Sequence, residues 1–150
     1  MKNLSREDQK VRECLIDICR QTPNETISYQ QLSDACGLNL SLSNGPNAHL
    51  RKMSKILERV ARYEHGNDRE ALSALVVDIK KGVPGKGFYN LCQQLEIRQQ
   101  EEAKYPMLKD DKRFSVAMIY KCRKFWQNDD NYKAHYSLPE SDKDESAVAS

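Results

Sequence analysis

A chain of 150 residues with 39% apolar and 31% charged side chains has material for one domain with a sizeable core, and not for a second full one. Its net charge of +2 hides an uneven distribution, because 137–150 holds Glu140, Asp142, Asp144 and Glu145 against Lys143 alone, which leaves 1–136 at +5. A moderately basic body is compatible with a nucleic-acid partner, while the polar start "MKNLSREDQK" and the lack of any long apolar run argue against export or a membrane span.

Val11, Cys14, Leu15, Ile18 and Cys19 recur on one helical face, so the spacing predicts an amphipathic helix from about Ser5 to Arg20 that ends before Pro23. In "NETISYQQLSDACGL", Ser28 and Gln31 have capping-box spacing and Gly37 supplies a stop, giving a short helix over Tyr29–Cys36 with Tyr29, Leu32 and Cys36 toward the core. After the polar loop Leu38–Pro46, the longest helix runs from Ala48 to Glu64. On its wheel Leu50, Met53, Ile56, Leu57, Val60 and Ala61 form the core side, and Arg51, Lys52, Lys55, Arg59 and Arg62 fall within roughly 100° of one another beside it.

"ALSALVVDI" reads as a strand, with its core from Leu72 to Val77, that runs into a Lys80-Lys81-Gly82 turn. Phe88 to Leu95 resumes helical spacing with Phe88 plugging the core. A linker near "KYPML" then leads to a last helix, about Lys112 to Gln127, with Phe114, Met118, Cys122 and Phe125 on one face. The Ser- and acid-rich 137–150 has little to bury and reads as a disordered tail.

Cys14, Cys19, Cys36, Cys92 and Cys122 are odd in number and scattered over apolar helical positions, the pattern of reduced thiols in a cytoplasmic setting. With no CxxC pair and with His49, His65 and His135 far apart, neither a metal site nor a cofactor is expected.

Helix, capped helix, loop, basic helix, strand and turn is the order of a helix-turn-helix followed by a wing. In that reading Arg51, Lys52, Lys55, Arg59 and Arg62 meet phosphates or base edges, and Lys80, Lys81 and Lys86 add backbone contacts from the turn. Asn47 and His49 near the helix start are additional base readers. The plain alternative is a solvated helix face; the sorting of signs favours contact, since Glu58 is the one acid placed to serve both Lys55 and Arg62.

"TISYQQLSDACGL", a helix, then "LSALVVDIKKGVPGKGFYNLCQQLE" resembles the winged-helix DNA-binding domain of O6-alkylguanine DNA alkyltransferases and alkyltransferase-like proteins, over about residues 26–96. Ile27, Ser28, Tyr29, Leu32, Ala35 and Gly37 carry the first motif, and Lys80 to Phe88 stands where the family has its wing. The resemblance implies a winged-helix shape. It implies no alkyl transfer, because Ala71-Leu72-Ser73-Ala74 stands where the family's Pro-Cys-His-Arg would, and the loop Leu38–Pro46 is longer than the family's turn.

The expectation is therefore an α+β, mostly helical, winged-helix-like domain over 1–136 that binds nucleic acid, duplex DNA foremost, with no catalytic residue. Two further readings stand beside it. Asp78 and Lys80 in "VVDIK" have the spacing of the second half of a Mg²⁺-dependent nuclease signature, with Glu64, Asp68 or Glu70 as the other carboxylate. A protein adaptor or inhibitor would use Trp126, Tyr132 and Tyr136. Gly82, Gly85 and Gly87 also invite a phosphate cradle at the start of the following helix, although shaping the chain explains them as well.

Overall fold

A computed structural model describes residues 4–21, 26–38 and 48–139. The fold is mostly helical: α1 (Arg6–Arg20), β1 (Ile27–Ser28), α2 (Tyr29–Ala35), α3 (Ala48–Gly66), β2 (Val76–Val77), α4 (Lys86–Gln94), α5 (Ile97–Lys104), α6 (Asp111–Gln127) and α7 (Asp129–His135), with 3₁₀ turns at Leu72–Leu75 and Pro106–Lys109. The helix starts have a visible cause. Ser5 and Asp8 close a capping box at α1, Ser28 and Gln31 close another at α2, and the side chains of Asp110 and Asn128 accept from backbone N–H groups at α6 and α7.

The sequence predicts a strand from Leu72 to Val77, and the structure corrects it. Leu72–Leu75 is a buried 3₁₀ turn and only Val76 and Val77 are strand, paired in parallel with Ile27 and Ser28. The ladder is short because Ser28 is also the N-cap of α2, so the partner strand ends where the helix begins. The apolar run is buried on all sides rather than alternately, which is why its β-branched residues mimic a longer strand. α5 and α7 lie in stretches where the pattern predicts no helix, and Leu50, placed on the core face of α3, is exposed. Among the described residues no helix is long and apolar enough to cross a membrane.

Two lobes of one core share α3 and α6. Val11, Leu15, Leu32, Met53, Ile56, Leu75 and Trp126 fill the first, and Ala61, Phe88, Leu91, Phe114 and Met118 fill the second. Between α1 and α3 sits a buried ion cluster. Glu64, fully buried, accepts from Arg12 Nε at 2.7 Å and from Arg69 Nε at 2.7 Å. Arg12 spends its other nitrogens on the carbonyls of His135 and Tyr136, at 2.7 and 2.6 Å, and lies 5.5 Å from the Trp126 ring. The end of α7 is thereby fastened to α1.

Removing the carboxylate strands two buried cations, so Glu64→Leu is expected to cost about 3–5 kcal/mol. Adding Arg12→Met to Glu64→Leu should recover part of that loss. A urea-unfolding double-mutant cycle checks it; strictly additive penalties would mean the pair is not coupled.

Candidate nucleic-acid interface

α3 presents Arg51, Lys52, Lys55, Arg59 and Arg62 to solvent while Met53, Ile56, Leu57 and Val60 face inward, so the helical period delivers the stripe. Its cations are not equivalent. Arg59 forks onto Asp8 of α1 with Nε and Nη2 both at 2.9 Å, and the Asp8 carboxylate is buried. Lys52 lies 3.4 Å from Glu7 of α1. Arg62 pairs with Glu58 at 3.0 Å and donates to Gln94 of α4 at 2.9 Å. Arg51 and Lys55 make no ion pair among the described residues.

Glu58 thus serves Arg62 alone, and the acids that pair with Lys52 and Arg59 come from another helix, α1. Asp8 is legible in the sequence only as the fourth residue of a capping box that Ser5 opens; nothing local announces a partner 51 positions away. Asn47 lies outside the described residues, as do the loop 39–47, the side chain of His49 and 140–150.

Lys80, Lys81 and Lys86 are exposed around a closed turn. Asp78 Oδ1 accepts the N–H groups of Lys80 at 2.9 Å and Lys81 at 3.1 Å, its own N–H reaches Val83 O at 2.9 Å, and Gly82 N–H returns to Asp78 O at 2.7 Å. Those amides, that of Lys81 first, hold the Asp78 carboxyl below the usual aspartate range. Gly82 is required by its φ of +70°. Gly85 packs closely, since a Cβ there would lie 3.0 Å from the Tyr29 hydroxyl, which would have to shift by a few tenths of an ångström. Gly87 has no such constraint. Ile79, at 78% exposure, stands in the turn beside the lysines.

A cleft of about 120 Å³ lies between α3 and the start of α4, lined by Tyr29, Ser54, Lys55, Glu58, Ser73, Gly87 and Phe88 among others. It places Lys55 of α3 beside the first turn of α4, which Lys86 opens. Ser73 Oγ is buried on its wall without a hydrogen-bond partner. The sequence singles out Ser73 only as part of the tetrapeptide at the family's Pro-Cys-His-Arg position.

Two carboxylates of the nuclease reading are otherwise engaged. Asp78 staples the turn and Glu64 is locked between arginines, and no three metal-ligating side chains converge among the described residues. Trp126 is corrected as a contact residue: it is 1% exposed, edge-on to Phe125 at 4.9 Å, because α6 turns that face into the core against α1. Tyr132 and Tyr136 are half-buried, Tyr132 under the Arg20 guanidinium at 4.2 Å. Exposed apolar surface gathers elsewhere. Tyr105, Val116 and Tyr120 line an open groove of about 860 Å³, where Glu101 pairs through Oε1 with Lys121 and keeps Oε2 buried and unpartnered.

Asp78→Ala should leave the global melt nearly unchanged while raising amide exchange at Lys80 and Lys81. Because the folded-state carboxyl is depressed, its support of the turn is present above the ordinary aspartate pKa of about 3.9 and is lost only as pH falls through the lower folded value. The two amide resonances should therefore titrate with a midpoint below about 3.9 in an NMR pH series; a midpoint at or above it contradicts the turn geometry.

No family model, curated protein or solved structure matches the chain.

Proposed function

We propose that the chain is a non-catalytic nucleic-acid-binding protein that grips duplex DNA by its phosphates. The contacting face consists of Arg51 and Lys55 on α3, Lys86 at the start of α4, and Lys80 and Lys81 on the turn. One observation carries the reading: the cleft at Tyr29 and Ser73 brings an unpaired cation of α3 next to the lysine-bearing start of α4, two segments distant in sequence. Cations with no acidic partner keep their full charge for an external anion, whereas Arg59 and Arg62 already have theirs. α2 and α3 act as the helix-turn-helix pair and the turn from Asp78 to Gly85 as a short wing, the shape the alkyltransferase resemblance implies. Contacts from these cations to phosphates fix register on the duplex and carry no base information themselves.

A second reading, contact with another protein, moves from Trp126 to the groove beside α6. The exposed Tyr105, Val116 and Tyr120 and the unpartnered Glu101 Oε2 suit an apolar segment bearing a cationic side chain.

Binding to a duplex should weaken with salt, with log K falling along log[salt] at a slope of about −4 to −5 for five phosphate contacts. Arg51→Glu with Lys55→Glu should reduce that slope by about 2 and affinity by more than about tenfold, with the fold intact by circular dichroism. Fluorescence anisotropy across a salt series measures both. Equal binding by this variant overturns the proposal, and no duplex affinity alongside co-purification of one protein that Glu101→Gln releases would favour the second reading.

A further inference from the structure

Two thiols outside the basic face touch. Cys36 at the end of α2 donates to Cys14 Sγ in the middle of α1 across 3.0 Å. A disulfide has a bond length of about 2.05 Å, so closure needs a sulfur displacement of only about 1 Å. The two are not alike. Cys14 is half-buried and lines an open cleft of about 390 Å³ between α1, β1 and α2, with Asp17, Gln21, Ile27 and Gln31, while Cys36 sits behind it, buried. The Cys36 hydrogen bond lowers the Cys14 thiol pKa, against the opposing effects of burial and of Asp17 and Glu13. The same bond, with burial, pushes Cys36 up. The other thiols lack both access and acidity: burial pushes Cys19 and Cys92 up to about 12 and Cys122 well above the ordinary thiol value.

We propose that Cys14 and Cys36 form a reactive dithiol site for small hydroperoxides, which converts to an intramolecular disulfide clamping α2 onto α1. Cys14 is the attacking sulfur because it faces the cleft; Cys36 is the resolving sulfur because it is already in contact. The Cys14 thiolate attacks one peroxide oxygen, the O–O bond breaks, and the departing hydroxide takes up a proton as water. Cys14 is then a sulfenic acid, oxidised by two electrons. Cys36 gives up its proton and attacks the Cys14 sulfur, and the expelled hydroxide leaves with that proton as a second water. The balance is two thiols and hydrogen peroxide to one disulfide and two waters. The inference does not depend on nucleic-acid binding, since neither sulfur belongs to that face.

The test treats the reduced full chain with one equivalent of hydrogen peroxide, blocks remaining thiols with an alkylating agent, and maps peptides by mass spectrometry. A Cys14–Cys36 crosslink is expected, the intact mass falling by two hydrogen atoms. The loss of these two thiols should outpace that of Cys19, Cys92 and Cys122 by at least about tenfold. Cys36→Ser should trap Cys14 as a dimedone-reactive sulfenic acid, and Cys14→Ser should leave Cys36 unoxidised. A different crosslink, or uniform oxidation of all five thiols, overturns the site even if a variant misfolds, because the wild-type map needs no substitution. Dimedone labelling of Cys36 in the Cys14→Ser variant overturns the assigned roles.

Discussion

Glu64 is a carboxylate without access to water, held between the guanidiniums of Arg12 and Arg69, and the placement of α1, α3 and α7 depends on it. Burying three charges is justified only when each hydrogen bond is met, and here the spare nitrogens of Arg12 close onto the carbonyls of His135 and Tyr136. Removing one member of such a cluster leaves its partners charged and buried. The cluster fixes how α1 lies along α3, and that placement brings Glu7 and Asp8 to the basic stripe.

The stripe is consequently divided by pairing. Arg59, forked onto the buried Asp8, is a strut between α1 and α3, and Arg62 braces α3 against Gln94 of α4. Arg51 and Lys55 are left over, and Lys55 shares its cleft with the start of α4. A helix wheel treats the five as one patch; the tertiary structure makes them two populations. The closed turn at Asp78 then holds Lys80 and Lys81 with their backbone amides already satisfied.

Much of the fold is legible in the chain because its signals are local. Ser28 and Gln31 announce α2, the apolar period of Met53, Ile56, Leu57 and Val60 announces α3, and Phe114, Met118 and Cys122 announce α6. What escapes reading depends on partners distant in sequence. Leu72–Val77 is too thoroughly buried for its apolar run to say whether it is strand or 3₁₀ turn. α7 has no buried residue and is held at its end by Arg12, so it has no apolar stripe to detect. Trp126 sits next to polar residues in sequence yet lies in the core, since α6 carries it over Arg12 and Arg69. For the candidate site, the cations are plain in the sequence and their availability is not, because Asp8 and Arg59 meet only in three dimensions.

The division of the stripe is tested most directly by comparing Lys55→Ala with Arg59→Ala in two assays, thermal unfolding and duplex binding at low salt. Lys55→Ala should weaken binding several-fold with an unchanged melting temperature. Arg59→Ala, which strands the buried Asp8 carboxylate, should cost about 2 kcal/mol of stability and leave the affinity of the folded protein nearly intact. The reverse pattern, with Arg59→Ala abolishing binding at full stability and Lys55→Ala silent in both assays, would contradict the account.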